Sequence, residues 1–281
     1  MFLNGADTVW VDPTCSACEF GDIPNTVEDT YALVIDPIAG DLVRTPLSKA
    51  ESNLIERDFK MRIAADNSAH FVLDITAAGN ASHYLKYAAQ ELTPDEFRDY
   101  LRRRNLLPEG LKIENCLFNK FDSTLSRFSC QVSGSIRGAG QQLDNRVHVW
   151  SSILPTPIST EPPNLTDRLV PLLRGSTLTV SDHIQVEIPE TWKLDRFPEA
   201  QSIESNFGAF TSTAESGVAS AADSATDSAS TSATGSPSSI TLSRRHTITM
   251  SRIPPPDSES FSDFQKSCSK ALSTALVFQK K

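Results

Sequence analysis

The sequence predicts a mainly β fold: an antiparallel β-sandwich with a helical insertion at about residues 81–105 and a closing C-terminal helix. Three observations lead there. Phe59, Met61 and Ile63 alternate, as do Phe71, Leu73 and Ile75, around an Asp66-Asn67-Ser68 turn, the pattern of a hairpin with one wet face. Further short alternating runs follow, separated by Pro- and Gly-bearing breaks. One central and one terminal segment switch instead to a spacing of three to four residues.

Val9-Trp10-Val11 is a short strand signal ended by Asp12-Pro13, because proline cannot donate to a sheet ladder. After the hairpin, Tyr84, Tyr87 and Ala88 recur at helical spacing. Thr93-Pro94-Asp95-Glu96 then reads as a capping box with proline at the first helical position. Phe97, Tyr100 and Leu101 form the apolar stripe of that second helix, Arg102–Arg104 suit its negative end, and Pro108 and Gly110 stop it. Strands resume at Lys112–Phe118, Phe128–Ile136, Val147–Leu154 and Thr177–Ile188, the last with Val180, Ile184, Val186 and Ile188 facing inward. Pro189–Trp192 is a turn before Lys193–Phe197 and Ser202–Phe210.

Composition changes at Thr211–Ser239, which is almost wholly Ser, Ala, Thr, Gly and Asp. Such a tract cannot repay the entropy of ordering, so residues 211–239 are expected to form a disordered, expanded hairpin loop between Gly208–Ser212 and Ile240–Met250. After Pro254-Pro255-Pro256 a helix starts near Asp257 or Ser258 and buries Phe261, Phe264, Cys268, Ala271, Leu272 and Ala275. Residues 276–281 suit a terminal strand.

The formal charge is −9 over 281 residues, which argues against a nucleic-acid partner held through phosphates. No apolar run is long enough to span a bilayer, and the N-terminus has neither the basic nor the apolar region of a secretory signal.

Few residues suggest chemistry. Asp12 sits where an acid could orient a histidine as the third member of a nucleophile–base–acid triad, or could simply cap its own Asp-Pro turn. Cys15-x-x-Cys18 is half of a zinc ribbon without a second pair, and no helix signal follows it as a thioredoxin-like site would require. It reads as a local disulfide staple or as two free thiols. Cys116 and Cys130 could pair in an oxidising compartment, and Cys268 reads as a small buried hydrophobe. His70, His83, His148, His183 and His246 lie at no catalytic spacing from a Ser, Cys or acid. No phosphate loop or HExxH motif occurs, and no cofactor is expected.

Val9-Trp10-Val11-Asp12-Pro13-Thr14, Phe20-Gly21-Asp22-Ile23-Pro24 and Tyr31–Ile35 together resemble the end of a transglutaminase-like core, as found in bacterial proteins that carry β-rich domains of unknown function on both sides of it. Gly79-Asn80-Ala81, Ile184–Lys193, Asn206–Phe210 and Arg252–Pro256 resemble the C-terminal domain of the same proteins, from which the Ser/Ala/Thr tract departs. The resemblance implies that residues 1–28 are a remnant of the catalytic core and residues 29–281 an accessory β-sandwich domain. It also implies that Asp12 is the acid of a Cys–His–Asp triad. No Cys or His precedes Asp12, so the expectation is a non-catalytic accessory or interaction domain that retains only that acid. Its partner would be the missing transglutaminase-like core or a cell-envelope protein, and its location the periplasm or cell envelope. The alternative is a stand-alone cell-envelope β-sandwich binding module, for glycans or for protein. A redox role for Cys15 and Cys18 ranks last.

Overall fold

The computed structural model describes residues 2–4, 7–35, 40–108, 110–118, 127–161, 168–218 and 238–280. Two short hairpins come first: β1 (Phe2–Asn4) with β2 (Asp7–Val9), and β3 (Tyr31–Ile35) with β4 (Gly40–Arg44). The long hairpin β5 (Leu54–Ile63) and β6 (Ala69–Ala78) leads into α1 (Asn80–Glu91) and α2 (Pro94–Arg103). Then come β7 (Leu111–Phe118), β8 (Arg127–Ile136), β9 (Gln141–Leu143), β10 (Arg146–Trp150) and β11 (Leu172–Leu173). They are followed by β12 (Leu178–Glu187), β13 (Trp192–Arg196), β14 (Gln201–Ser205), β15 (Gly208–Val218) and β16 (Ser238–Ile248). The chain closes with β17 (Arg252–Ile253), α3 (Ser258–Leu272) and β18 (Ala275–Lys280).

The mainly β fold with its helical insertion and C-terminal helix is as the sequence predicts. An eight-stranded sheet runs β14-β15-β16-β12-β5-β6-β8-β7, and a four-stranded sheet runs β13-β18-β10-β9. Inward residues of both, such as Phe59 and Leu73 from the large sheet and Val147 and Phe278 from the small one, join a single apolar core. The sheet is not purely antiparallel: β12 pairs parallel to β5, with Asp182 opposite Arg57. That pairing joins segments far apart in the chain, so no local signal announces it.

The expected disorder of residues 211–239 needs correction at both ends. β15 runs to Val218 and β16 begins at Ser238, in one continuous antiparallel register from Gly208↔Ile248 to Val218↔Ser238. Ladder bonds to a neighbouring strand hold the small polar residues that propensity alone leaves unstructured. Residues 219–237, the rest of the expected loop, lie outside the described residues.

Two local features position the functional region. Gly79 has φ 59°, and a Cβ there would meet Asn53 Oδ1 at 2.4 Å, so glycine is required. Helix α1 has no side-chain cap of its own. Asn53 replaces one: its Oδ1 accepts from the Asn80 amide at 2.9 Å, and its Nδ2 donates to Thr177 Oγ1 at 3.2 Å. Helix α2 does have its capping box, with Thr93 and Glu96 exchanging bonds, and it buries Phe97 and Leu101 as its stripe predicts. In α1 the residues at helical spacing divide between the two faces. His83, Leu85, Lys86 and Ala88 are buried, while Tyr84 and Tyr87 are exposed.

At the centre of the large sheet lies a buried ionic cluster that the alternation pattern did not reveal. Asp182 on β12 accepts from Arg57 on β5 at 2.7 and 3.0 Å and from Arg244 on β16 at 2.6 Å. Arg57 also donates to the carbonyls of Asn105 and Pro155, and Arg244 to that of Leu154. Burial alone would raise the Asp182 carboxyl, but the two guanidiniums outweigh it and hold the group below the usual carboxylate range.

Candidate functional site

The segment after β2 folds as successive turns, Cys15 N–H donating to the Asp12 carbonyl and Cys18 N–H to that of Cys15. Asp12 Oδ1 accepts from the Thr14 amide at 2.9 Å and the Thr14 hydroxyl at 2.7 Å, and these bonds hold its carboxyl below the usual range. Cys15 and Cys18 are joined by a disulfide. Against this loop packs the buried face of α1. Cys18 Sγ lies 3.5 Å from His83 Nδ1, and the ligand atoms of Cys15, Cys18 and His83 all fall within 4.8 Å of one another.

This overturns the expectation that the chain keeps only the acid of a triad. A cysteine and a histidine are present and in contact. The carboxylate facing the histidine is Asp22, with Oδ2 3.8 Å from His83 Nε2, and Asp12 is occupied with Thr14. The accessory-domain reading built on a missing Cys and His therefore does not stand. It failed because it searched chain order upstream of Asp12, whereas the histidine arrives from 65 residues downstream, on a helix folded back over the loop. Neither spacing nor motif signals that contact. The only hints were a CxxC with no partner and a histidine in a helical segment.

Burial pushes the His83 imidazole below its ordinary range, Asp22 opposes the shift and Lys86 adds to it. Burial likewise lowers the Lys86 ammonium, with Glu19 and Asp22 opposing. Burial raises Cys130, with a smaller push from Cys116, and pushes Cys268 up to about 12. These are inert thiols.

The other face of α1 lines a cleft of about 190 Å³ against α2, the segment around Pro157 and the entry to β12. Its apolar wall includes Ile55, Leu85, Leu106 and Leu178. Arg104 Cζ lies 5.6 Å from the Tyr84 ring centroid and 5.2 Å from that of Tyr100, a cation held between two aromatic faces. The Tyr84 hydroxyl donates to Asn25 Oδ1, which ties this rim to the N-terminal loop. Two buried polar atoms of cleft-lining residues have no hydrogen-bond partner: Asn80 Oδ1, on a residue 3% exposed, and Arg174 Nε. The Arg174 guanidinium is oriented by a bond to the Ser159 carbonyl and by the Phe261 ring. Among the described residues no carboxylate lines the cleft, although Asp and Glu outnumber Lys and Arg 35 to 26 in the chain.

The sequence reading named Tyr84 and Tyr100 only as helix-face residues and placed Arg102–Arg104 at the negative end of the second helix. A run of three arginines on a helix end does not disclose that the last one stacks on rings from two helices.

Residues 149–220 match a family described as a domain of unknown function with solved structure (DUF3858), a span well under half of the chain. No curated protein matches it. Among the described residues no helix is long and apolar enough to cross a membrane.

Proposed function

We propose that this chain is a cell-envelope binding module whose ligand is an acidic glycan, held in the cleft between α1, α2 and the start of β12. The observation that carries this reading is the pair of unpartnered buried atoms at residues lining the cleft. Buried polar groups are nearly always satisfied, so an acceptor and a donor without partners on two residues of one cleft support a ligand there. Asn80 Oδ1 needs a donor such as a sugar hydroxyl, and Arg174 Nε needs an acceptor such as a carboxylate. A sugar acid offers both from one ring. Tyr84 and Tyr100 supply apolar faces for that ring, and Arg104 adds a second positive charge without a competing acid. The volume suits one sugar unit, since pockets for drug-sized molecules run to roughly 300–1,000 Å³.

Calorimetric titration of the full chain with a uronic-acid oligosaccharide and with its neutral counterpart tests the reading. The acidic sugar should bind, more weakly as salt is raised, and Arg104→Ala should weaken it about tenfold, or roughly 1.4 kcal/mol. Equal behaviour of acidic and neutral sugars, or unchanged binding by Arg104→Ala and Tyr84→Ala, would end it.

A further inference from the structure

We propose that, once its disulfide is reduced, Cys15 and Cys18 together with His83 Nδ1 hold a zinc-class divalent ion. This site is separate from the glycan cleft, on the side of α1 that packs against the N-terminal loop, and rests on different observations.

The first observation is the donor set. Two thiolates and an imidazole are the ligands zinc prefers, and here the three ligand atoms lie within 4.8 Å of one another. At ordinary zinc–sulfur and zinc–nitrogen bond lengths, tetrahedral donors stand about 3.5–3.8 Å apart. The 3.5 Å between Cys18 Sγ and His83 Nδ1 already has that value.

The second observation is the orientation of the ring. The Asp22 carboxylate lies 3.8 Å from Nε2, beyond direct hydrogen-bond length, and its charge favours the proton on that nitrogen, which leaves the lone pair on Nδ1. Nδ1 points at a sulfur that, in the disulfide, has no proton to give. In the tautomer with its proton on Nε2, the Nδ1 lone pair faces a group unable to satisfy it, and a metal ion satisfies it. A carboxylate behind a histidine is also the common outer partner of a zinc ligand, where it fixes the tautomer and raises the basicity of the ligating nitrogen.

A third observation concerns the remaining position. Three protein ligands leave one site of a tetrahedron open. Among the described residues no carboxylate oxygen joins the three ligand atoms within 4.8 Å, so a water completes the sphere.

The chemistry balances with a dithiol reductant. The dithiol passes two electrons and two protons to the Cys15–Cys18 disulfide and becomes a disulfide itself. The S–S bond breaks and two thiols form. Metal binding then displaces both protons, so uptake of the ion releases two protons to solvent. The oxidised loop is closed by the S–S bond. The reduced loop is closed instead by the ion, which ties it directly to α1.

Cobalt(II) titration of the full chain, reduced with a phosphine and desalted without air, reads this out. The reduced protein should develop thiolate-to-cobalt charge-transfer bands and the intense visible bands of tetrahedral cobalt, and zinc should displace them. The oxidised protein should show neither. Cys15→Ser/Cys18→Ser should abolish the bands while Cys116, Cys130 and Cys268 remain. His83→Gln should lose the tetrahedral pattern. If that variant fails to fold, Asp22→Asn decides, because it keeps every ligand and alters only the acid behind the ring: affinity should fall about 10–100-fold. Bands that persist in the double cysteine variant, equal binding by the oxidised protein, unchanged affinity in Asp22→Asn, or no bands in the reduced protein would each overturn the proposal.

Discussion

The ionic cluster in the large sheet and the polar atoms on either side of α1 are both buried, and they are satisfied in opposite ways. Asp182 accepts three bonds from two guanidiniums, and those guanidiniums reach backbone carbonyls at Asn105, Leu154 and Pro155. The cluster spans β5, β12 and β16, and it fastens the loops that follow α2 and β10. Around α1, by contrast, Asn80 Oδ1 and Glu19 Oε1 have no partner, and His83 Nδ1 faces a disulfide sulfur. A carboxylate matched by two guanidiniums orders a core, while open donors and acceptors are what a ligand or an ion can complete.

The sharpest way to break this contrast is Asp182→Asn. It preserves shape but leaves two buried guanidiniums without their counter-charge, and should destabilise the fold by about 3–5 kcal/mol in denaturant unfolding. A loss below about 1 kcal/mol would show that the cluster is more hydrated than its 5% exposure at Asp182 implies. The Asp182 contribution is present above the unfolded carboxylate value of about 3.9 and is lost as pH falls through the lower folded value.

His246 supplies the next largest effect. It lies on β16 with its ring edge-on to Phe210 and Phe264, and burial chiefly lowers its pKa to about 4. Between the unfolded value of about 6.5 and the folded value, the unfolded chain holds the extra proton, so stability falls as pH drops through that window and levels off below it. The expected loss is about 3 kcal/mol, measured as unfolding free energy at pH 7 and at pH 4. His246→Phe should flatten the profile there, and an unchanged slope would assign the acid sensitivity elsewhere.

Smaller effects sharpen the other half of the contrast. Thr93→Ala removes the capping box of α2 and should cost about 1 kcal/mol in thermal unfolding. Tyr84→Ala, at a residue 40% exposed, should change stability by no more than about 0.5 kcal/mol while weakening acidic-glycan binding. Equal losses of stability and binding in Tyr84→Ala would mean that the cleft rim is structural.

Much of the fold was legible before any coordinates. The hairpin alternation of Phe59–Ile63 and Phe71–Ile75, the Thr93–Glu96 capping box and the Phe261–Ala271 stripe all report local geometry, in which side-chain period is set by the backbone itself. The pairing of the strands that flank the Ser/Ala/Thr tract was legible too, though not its reach to Val218 and Ser238, where ladder bonds override propensity. The site was much less legible. Cys15-x-x-Cys18 could be seen, but His83 could not be joined to it, nor Asp22 to His83.

The sequence by itself determined the elements, the caps and the inward faces of most strands, because those depend on neighbours within a few residues. Only the tertiary structure decided that β12 lies parallel to β5, that Asp182 meets two arginines, and that one face of α1 presents His83 to a disulfide while the other presents Tyr84 to Arg104. Each of those contacts closes a loop of tens of residues or more. The chain states no preference for such closures locally, and they become favourable only when the whole core is buried at once.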